Sequence, residues 1–292
     1  MSRHQLFAQP DFIPRFCDLE RFTGLRVGIT GHRGVLGRVL TERLREGGID
    51  LEPYLGDITD CQALRAWYAD RAFDLFFHFA AIVPVVNVER DPARAFEVNA
   101  IGAYRVCEHL VRSNRTCWVF IASTSHVYQP MSPDALQSLK VGDKEAPSSV
   151  YGRTKLAGEH LCRQFLKTYD QQYCIGRIFS FSHSSQPEPY LVPRLLRRIR
   201  ELQEGQPLTI ANANSLRDIV DAETVIDSIL YLAVRRFCGT VNIGSGSGIS
   251  IADIARHLAI RLGKEIDIEN EAKGKSDALV ADIEPLRHVI AL

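Results

Sequence analysis

Near residue 26 the chain begins a strict alternation: a short apolar run, a turn, then apolar positions recurring at helical spacing. Residues 26–30 (RVGIT) read as a strand. Val35, Leu36, Val39, Leu40 and Leu44 fall on one face of the helix after it, which Gly47-Gly48 ends. A short apolar stretch to Leu55, a turn at Gly56-Asp57 and a helix over 60–71 follow. Residues 74–81 (DLFFHFAA) are apolar almost throughout, as a strand covered on both faces must be. A helix over 91–113, a second buried strand over 117–123, a helix over 150–169 and a strand over 173–179 complete the series. This order predicts an α/β protein with a doubly wound parallel sheet.

After residue 180 the strand-like pieces shorten (208–210, 218–220, 240–243, 266–268) and are separated by helices over 192–204, 221–234 and 251–262. They read as a smaller mixed α/β lobe on the carboxyl ends of the first sheet. The expected organisation is an N-terminal extension over 1–24, a cofactor domain over 25–179 and a substrate lobe over 180–292, with interleaved segments. The extension is expected over a sheet edge or at an oligomer contact. Residues 129–149, the most turn-rich stretch, read as a flap near the site.

Composition excludes several classes. With 292 residues, 46% hydrophobic and 24% charged, the chain can bury a large core without disulfide or metal staples. Thirty-five basic residues balance 35 acidic ones, which argues against a nucleic-acid partner. No apolar run approaches the roughly 20 residues of a membrane span. The first 24 residues, broken by Pro10, Asp11, Pro14 and Arg15, lack a signal-peptide core, so a cytoplasmic protein is expected. Seven cysteines without a CxxC pair, six of them (Cys61, Cys107, Cys117, Cys162, Cys174 and Cys238) in or beside helices and strands, read as buried free thiols rather than metal ligands.

The turn ITGHRGVLG places Gly31, Gly34 and Gly37 after a strand and at the opening of a helix. That context suits the pyrophosphate of a dinucleotide, seated at a helix N-terminus against close-lying backbone, and makes the sheet a Rossmann sheet. Asp50 or Glu52 stands where an acid would hold the ribose hydroxyls of NAD. The chain runs from Gly48 to the turn at Gly56 in only eight residues, however, and Arg33 within the turn can fork onto a 2′-phosphate. NADPH is therefore the favoured cofactor, with NAD the alternative.

Tyr151 and Lys155 lie four apart in SVYGRTKLAGEH and share a helix face. A tyrosine ionises near pH 10, so work near pH 7 needs about 4 kcal/mol of preferential phenolate stabilisation. A nearby ammonium, aided by an oxidised nicotinamide, is the kind of neighbour that supplies it.

Together TGHRGVLG, GDITD, STSHVY, YGRTK and LRDIVDAETV resemble the extended short-chain dehydrogenase/reductase family, in its nucleotide-sugar branch, over nearly everything from residue 25. The glycine turn is similar to that of GDP-fucose synthases; the compressed second strand and the YGRTKLAGE helix are similar to those of dTDP- and GDP-4-keto-6-deoxyhexose reductases. The resemblance implies Tyr151 as acid/base, Lys155 as its partner and Thr124 as the hydroxyl on the reacting oxygen. The turn itself puts Gly31, Arg33, Gly34, Val35, Leu36 and Gly37 beside the cofactor phosphates, and the resemblance also implies Asp57 and Ile58 near adenine, Ala80 and Ala81 behind the cofactor and Asn99 in support. Ser125, His126, Ser180 and Tyr190 fall on the sugar side, and Arg217, with Arg194 or Arg198, near the substrate diphosphate. A homodimer through the helices over 91–113 and 150–169 is the family's common assembly.

Two departures narrow the expected reaction. Ser125 and His126 replace the acid pair of the family's dehydratases, and His126 with Tyr190 is not the epimerising pair of GDP-fucose synthases. His126 reads as a structural or substrate-contacting residue, with a proton shuttle as the alternative. The expected reaction is NADPH-dependent reduction of a nucleotide-linked 4-keto-6-deoxyhexose. Its rivals are a 4-epimerase with retained NAD and a non-catalytic regulatory subunit on the same fold.

Overall fold

The computed structural model describes residues 7, 10–16, 18–113, 116–135, 137–272 and 274–292. Strands β1 (Val27–Thr30), β2 (Leu51–Pro53), β3 (Leu75–His78), β4 (Trp118–Thr124) and β5 (Tyr173–Ile178) join Gly239–Ile243 in one six-stranded sheet. From edge to edge the order is Gly239–Ile243, β5, β4, β3, β1, β2, and every pairing is parallel.

Alternate side chains of these strands feed two cores. Ile29, Phe77, Trp118 and Phe120 point to one face, beneath helices Val35–Glu46 and Ala222–Val234. Phe76, Val119, Ile121 and Ile175 point to the other, beneath Cys61–Tyr68, Ala103–Ser113 and Val150–Thr168. The doubly wound Rossmann sheet expected from the alternation is thus present. Each of these fully buried side chains contributes about 1.5–3 kcal/mol of burial energy.

The strand expected at 240–243 in the small lobe instead completes the main sheet beside β5, with Val241 and Ile243 buried. The helix before it is apolar on nearly every side because it fills the core under the sheet rather than coating a lobe. The helix expected over 91–113 is three pieces: Pro92–Phe96, a π-helical segment Glu97–Gly102, and Ala103–Ser113. A separate short helix, Val85–Arg90, precedes them. The described part of the N-terminal extension packs on the helical layer and not on a sheet edge. Ile13, Phe16 and Phe22 are buried there, and the Phe16 N–H donates to Asp227 (3.1 Å).

The remaining elements form smaller pairings. Leu208–Ala211 pairs with Ile268–Glu271, Leu216–Arg217 with Ile249–Ser250 and Ala278–Leu279, and Ser180–Ser182 with Ile219–Asp221. Helices Leu191–Glu201 and Ile251–Arg261 close a third core around Leu195, Ile199, Ile254 and Leu258. Of the six cysteines named above, four are buried, whereas Cys61 and Cys238 are exposed, and all six are free.

Candidate active site

A cleft of about 920 Å3 runs along the carboxyl ends of β1, β3 and β4 and under the segments that follow β5. It lies where β1 and β3 are neighbours and β2 turns to the other side, the topological switch point at which open α/β sheets bind ligands. Gly31 (φ 78°) makes the turn there, and a Cβ on it would stand 2.5 Å from the Ala80 nitrogen, so only glycine fits. Helix Val35–Glu46 then opens on Gly34 with no side-chain cap, whereas Asp60, Asp91, Ser149 and Ser250 cap other helices. Its N-terminal amides and positive dipole end are left for a ligand in the cleft, which Gly31, Gly34, Val35, Leu36 and Gly37 line. These residues fit a dinucleotide pyrophosphate.

At the β2 end, Asp57 and Ile58 line the cleft. The Thr59 N–H and hydroxyl, with Arg94, hold the Asp57 carboxyl below its ordinary range. Arg94 pairs with Asp57 and donates to Thr59 Oγ1 (2.9 Å) and Glu97 (2.6 Å). Sequence reading missed Arg94 as a lining residue; its only signal is its place three residues after Asp91, the cap of Pro92–Phe96. Asp50 and Glu52 do not line the cleft, and Glu52 is spent on Arg71 (3.0 Å). Arg33 is exposed and outside the lining.

The three residues singled out for chemistry meet in this cleft. Thr124 ends β4, while Tyr151 and Lys155 lie on Val150–Thr168, whose first turn is fixed by Ser149 accepting from the Gly152 N–H (3.1 Å). Gly152 lets that helix approach the strand's end: a Cβ there would lie 2.2 Å from the His126 carbonyl oxygen. Asn99, in the π-helical segment, donates to Thr154 Oγ1 (3.0 Å) and the Ile82 carbonyl (3.2 Å) and accepts from the Ile82 N–H (2.7 Å), tying the helix to the Ala80-Ala81 wall. Burial pushes the Tyr151 hydroxyl up to about 12, while the Thr124 hydroxyl beside it pulls the other way. Burial lowers Lys155 to about 8. Burial is the largest influence on Tyr151, and the lowering expected from Lys155 is not among the influences on it.

On the far side stand Ser125, His126, Ser180, Tyr190, Arg194 and Arg217, all lining. Burial, with Arg217 adding to it, lowers His126 to about 4. Arg217 is held by Asp277 (2.9 Å) and by the Leu216 carbonyl (2.7 Å). Arg198 turns away to the Thr209 carbonyl (2.6 Å) and does not line the cleft. Nor does any described residue of 129–149: that stretch is pinned elsewhere, with Leu139 buried and accepting from Asn242 (2.7 Å). Val83, Pro84, Val86 and Leu191 add an apolar wall that sequence reading did not single out. Among the described residues no cluster of His, Cys, Asp and Glu is placed to hold a metal ion, and no helix is long and apolar enough to cross a membrane.

The model of the NAD dependent epimerase/dehydratase family matches residues 27–244, from β1 through the last strand of the main sheet. The chain belongs to the NAD dependent epimerase/dehydratase family. The resemblance drawn from the motifs is thereby borne out. Within this family it is 24% identical over 262 residues to the UDP-glucose 4-epimerase of Halalkalibacterium halodurans, covering 82% of this chain and 77% of the relative. It is also 24% identical over 251 residues to the GDP-6-deoxy-D-mannose reductase of Pseudomonas aeruginosa, covering 83% and 82%. The structure of RMD from Pseudomonas aeruginosa complexed with NADPH superposes with a TM-score of 0.81 at 21% identity, over 91% of this chain and 92% of that one. Family membership makes the protein an enzyme of the NAD(P)-dependent oxidoreductase type, with nucleotide-sugar epimerases and reductases among its relatives.

Proposed function

We propose that the protein reduces the C4 ketone of a nucleotide-linked 4-keto-6-deoxyhexose with NADPH, giving an activated deoxysugar for glycan synthesis. The observation that carries this reading is the meeting of Thr124, Tyr151 and Lys155 in a cleft that also holds an uncapped helix N-terminus. Bound NADPH supplies the hydride. Gly31, Gly34, Val35, Leu36 and Gly37 seat its pyrophosphate, Asp57 and Ile58 border the adenine, and Ala80 and Ala81 back the nicotinamide half. The absence of Asp50 and Glu52 from the lining, with Arg33 exposed beside it, favours the phosphorylated cofactor over NAD.

Thr124 Oγ1 holds the ketone oxygen, and Tyr151 Oη gives it a proton. A hydroxyl held at about 12 is fully protonated at neutral pH and so is populated as an acid. The phenolate left behind is stabilised by the Lys155 ammonium and the Thr124 hydroxyl. Ser125, His126, Ser180 and Tyr190 frame the sugar, Val83 and Val86 offer an apolar wall that suits a 6-deoxy methyl group, and Arg194 and Arg217 meet the diphosphate. Ile101 in the π-helical segment, Leu161 on Val150–Thr168 and Tyr169 just past its end are exposed and suit a homodimer through those elements. The division into a cofactor domain and a substrate lobe follows the same reading.

A 4-epimerase uses the same three residues, and the similarity to a UDP-glucose 4-epimerase supports it as the second reading. Cofactor retention separates the two: protein purified without added nucleotide and extracted with acid should release less than a tenth of an equivalent of NAD or NADP, whereas near-stoichiometric NAD would favour the epimerase.

A further inference from the structure

We propose that Glu159, clamped by Arg177 and Arg163, is a positioning residue that fixes the place and the charge of Lys155. The inference rests on the reading of Lys155 as the partner of Tyr151. Glu159 is 1% exposed and stands one turn beyond Lys155 on the same helix face. Its carboxylate accepts from Ser123 Oγ (2.5 Å), Arg177 Nη2 (2.7 Å) and Nε (3.1 Å), and Arg163 Nη2 (2.9 Å). Ser123 directly precedes Thr124 on β4, so one carboxylate ties the strand that carries Thr124 to the helix that carries Lys155. Lys155, Glu159, Ser123 and Asn99 border one small void behind the cleft.

The charges form a balanced set. Glu159 and Glu145 face Arg177 and Arg163; Arg177 reaches both carboxylates and lies over the Tyr128 ring at 4.7 Å. His160 closes the outer side on Glu145 (2.9 Å). Around Lys155 itself stand Tyr151 and Cys162 from its own helix and His78 from β3. His78 is neutral, lowered by burial to about 3, and a thiol carries charge only once ionised. The standing anion beside Lys155 is therefore Glu159. Burial lowers Lys155, while the charge of Glu159 opposes that fall. A buried ion cluster stabilises a fold little compared with apolar packing of equal volume, so its position behind the cleft calls for another role.

The test reads the Lys155 amine directly, by competitive acetylation and mass spectrometry of cofactor-free protein from about pH 6 to about pH 10. Glu159→Gln leaves the set with one excess positive charge and should lower the Lys155 titration by about half a unit or more; Arg163→Gln leaves one excess negative charge and should raise it by a similar amount. Shifts of opposite sign support the proposal. Unmoved titrations, or shifts of one sign in both variants, overturn it. Should Glu159→Gln fail to fold, Arg163→Gln, whose side chain is partly exposed, decides by the sign of its own shift. Because the readout uses no turnover, opposite shifts in a protein without ketoreductase activity would remove the proposed function and leave this inference standing, and unmoved titrations in an active enzyme would do the reverse.

Discussion

The ring of His126 stands edge-on to that of Tyr151, with centroids 5.7 Å apart and planes at 66°. Both side chains line the cleft, yet burial acts on them in opposite directions on the pH scale: His126 is held at about 4 and Tyr151 at about 12. At neutral pH the imidazole is an uncharged wall and the phenol a loaded acid. In the proposed reduction, Tyr151 is therefore the group that gives the substrate oxygen its proton.

Acid sensitivity follows from the neutral histidines. His126 and His78, at about 4 and about 3, bind fewer protons folded than unfolded, where a histidine titrates near pH 6.5. Stability is then complete above about pH 6.5 and falls as the pH drops toward 4, by about 3 kcal/mol for His126 alone. Urea midpoints measured across that window should fall in the wild type and fall less in His126→Gln. An equal slope in the variant would mean that His126 charges freely in the folded protein.

Tyr151→Phe removes the proton donor and little else. Turnover should drop by about 10²–10⁴-fold, while NADPH binding, followed by its fluorescence, should stay within about threefold of wild type. A Tyr151→Phe protein with normal turnover would mean that another group delivers the proton.

Gly152→Ala tests the close approach of helix and strand. Its Cβ would meet the His126 carbonyl oxygen at 2.2 Å, so the first turn carrying Tyr151 must move. A cost of about 1–3 kcal/mol in stability is expected, with a loss of turnover larger than that of affinity for NADPH. Unchanged kinetics in a destabilised variant would show that the register of Tyr151 tolerates the shift.

In the proposed function Arg33, exposed within the glycine turn, selects the phosphorylated cofactor. Arg33→Ala should weaken NADPH about tenfold and leave NADH nearly unchanged, as titration calorimetry can show. Equal losses for both cofactors would place the 2′-phosphate elsewhere, with Arg94, which lines the cleft beside Asp57, the next candidate.

Much of this was legible in the sequence because the main sheet is buried on both faces and its strands are continuous apolar runs, from Phe76 and Phe77 to Val119 and Phe120. The glycine turn and the spacing of Tyr151 and Lys155 are local features, and local features survive in a linear reading. What was missed depends on where the chain returns. Residues 240–243 look like any short strand until their partner, β5, is known. The stretch 129–149 is turn-rich because it wraps Arg177, Asn242 and the strand Ala278–Leu279, contacts that no spacing reveals. Arg94 and Arg198 are both plausible anion ligands as letters; only the fold sends one to the cleft and the other to the Thr209 carbonyl.

The central claim is tested most directly by absorbance at the reduced-nicotinamide band, with purified protein, NADPH and a panel of dTDP-, GDP-, CDP- and UDP-linked 4-keto-6-deoxy sugars. The account predicts that one sugar causes stoichiometric loss of NADPH, dependent on Tyr151. Interconversion of C4 epimers with no net loss of reduced cofactor, by protein that already carries NAD, would contradict it.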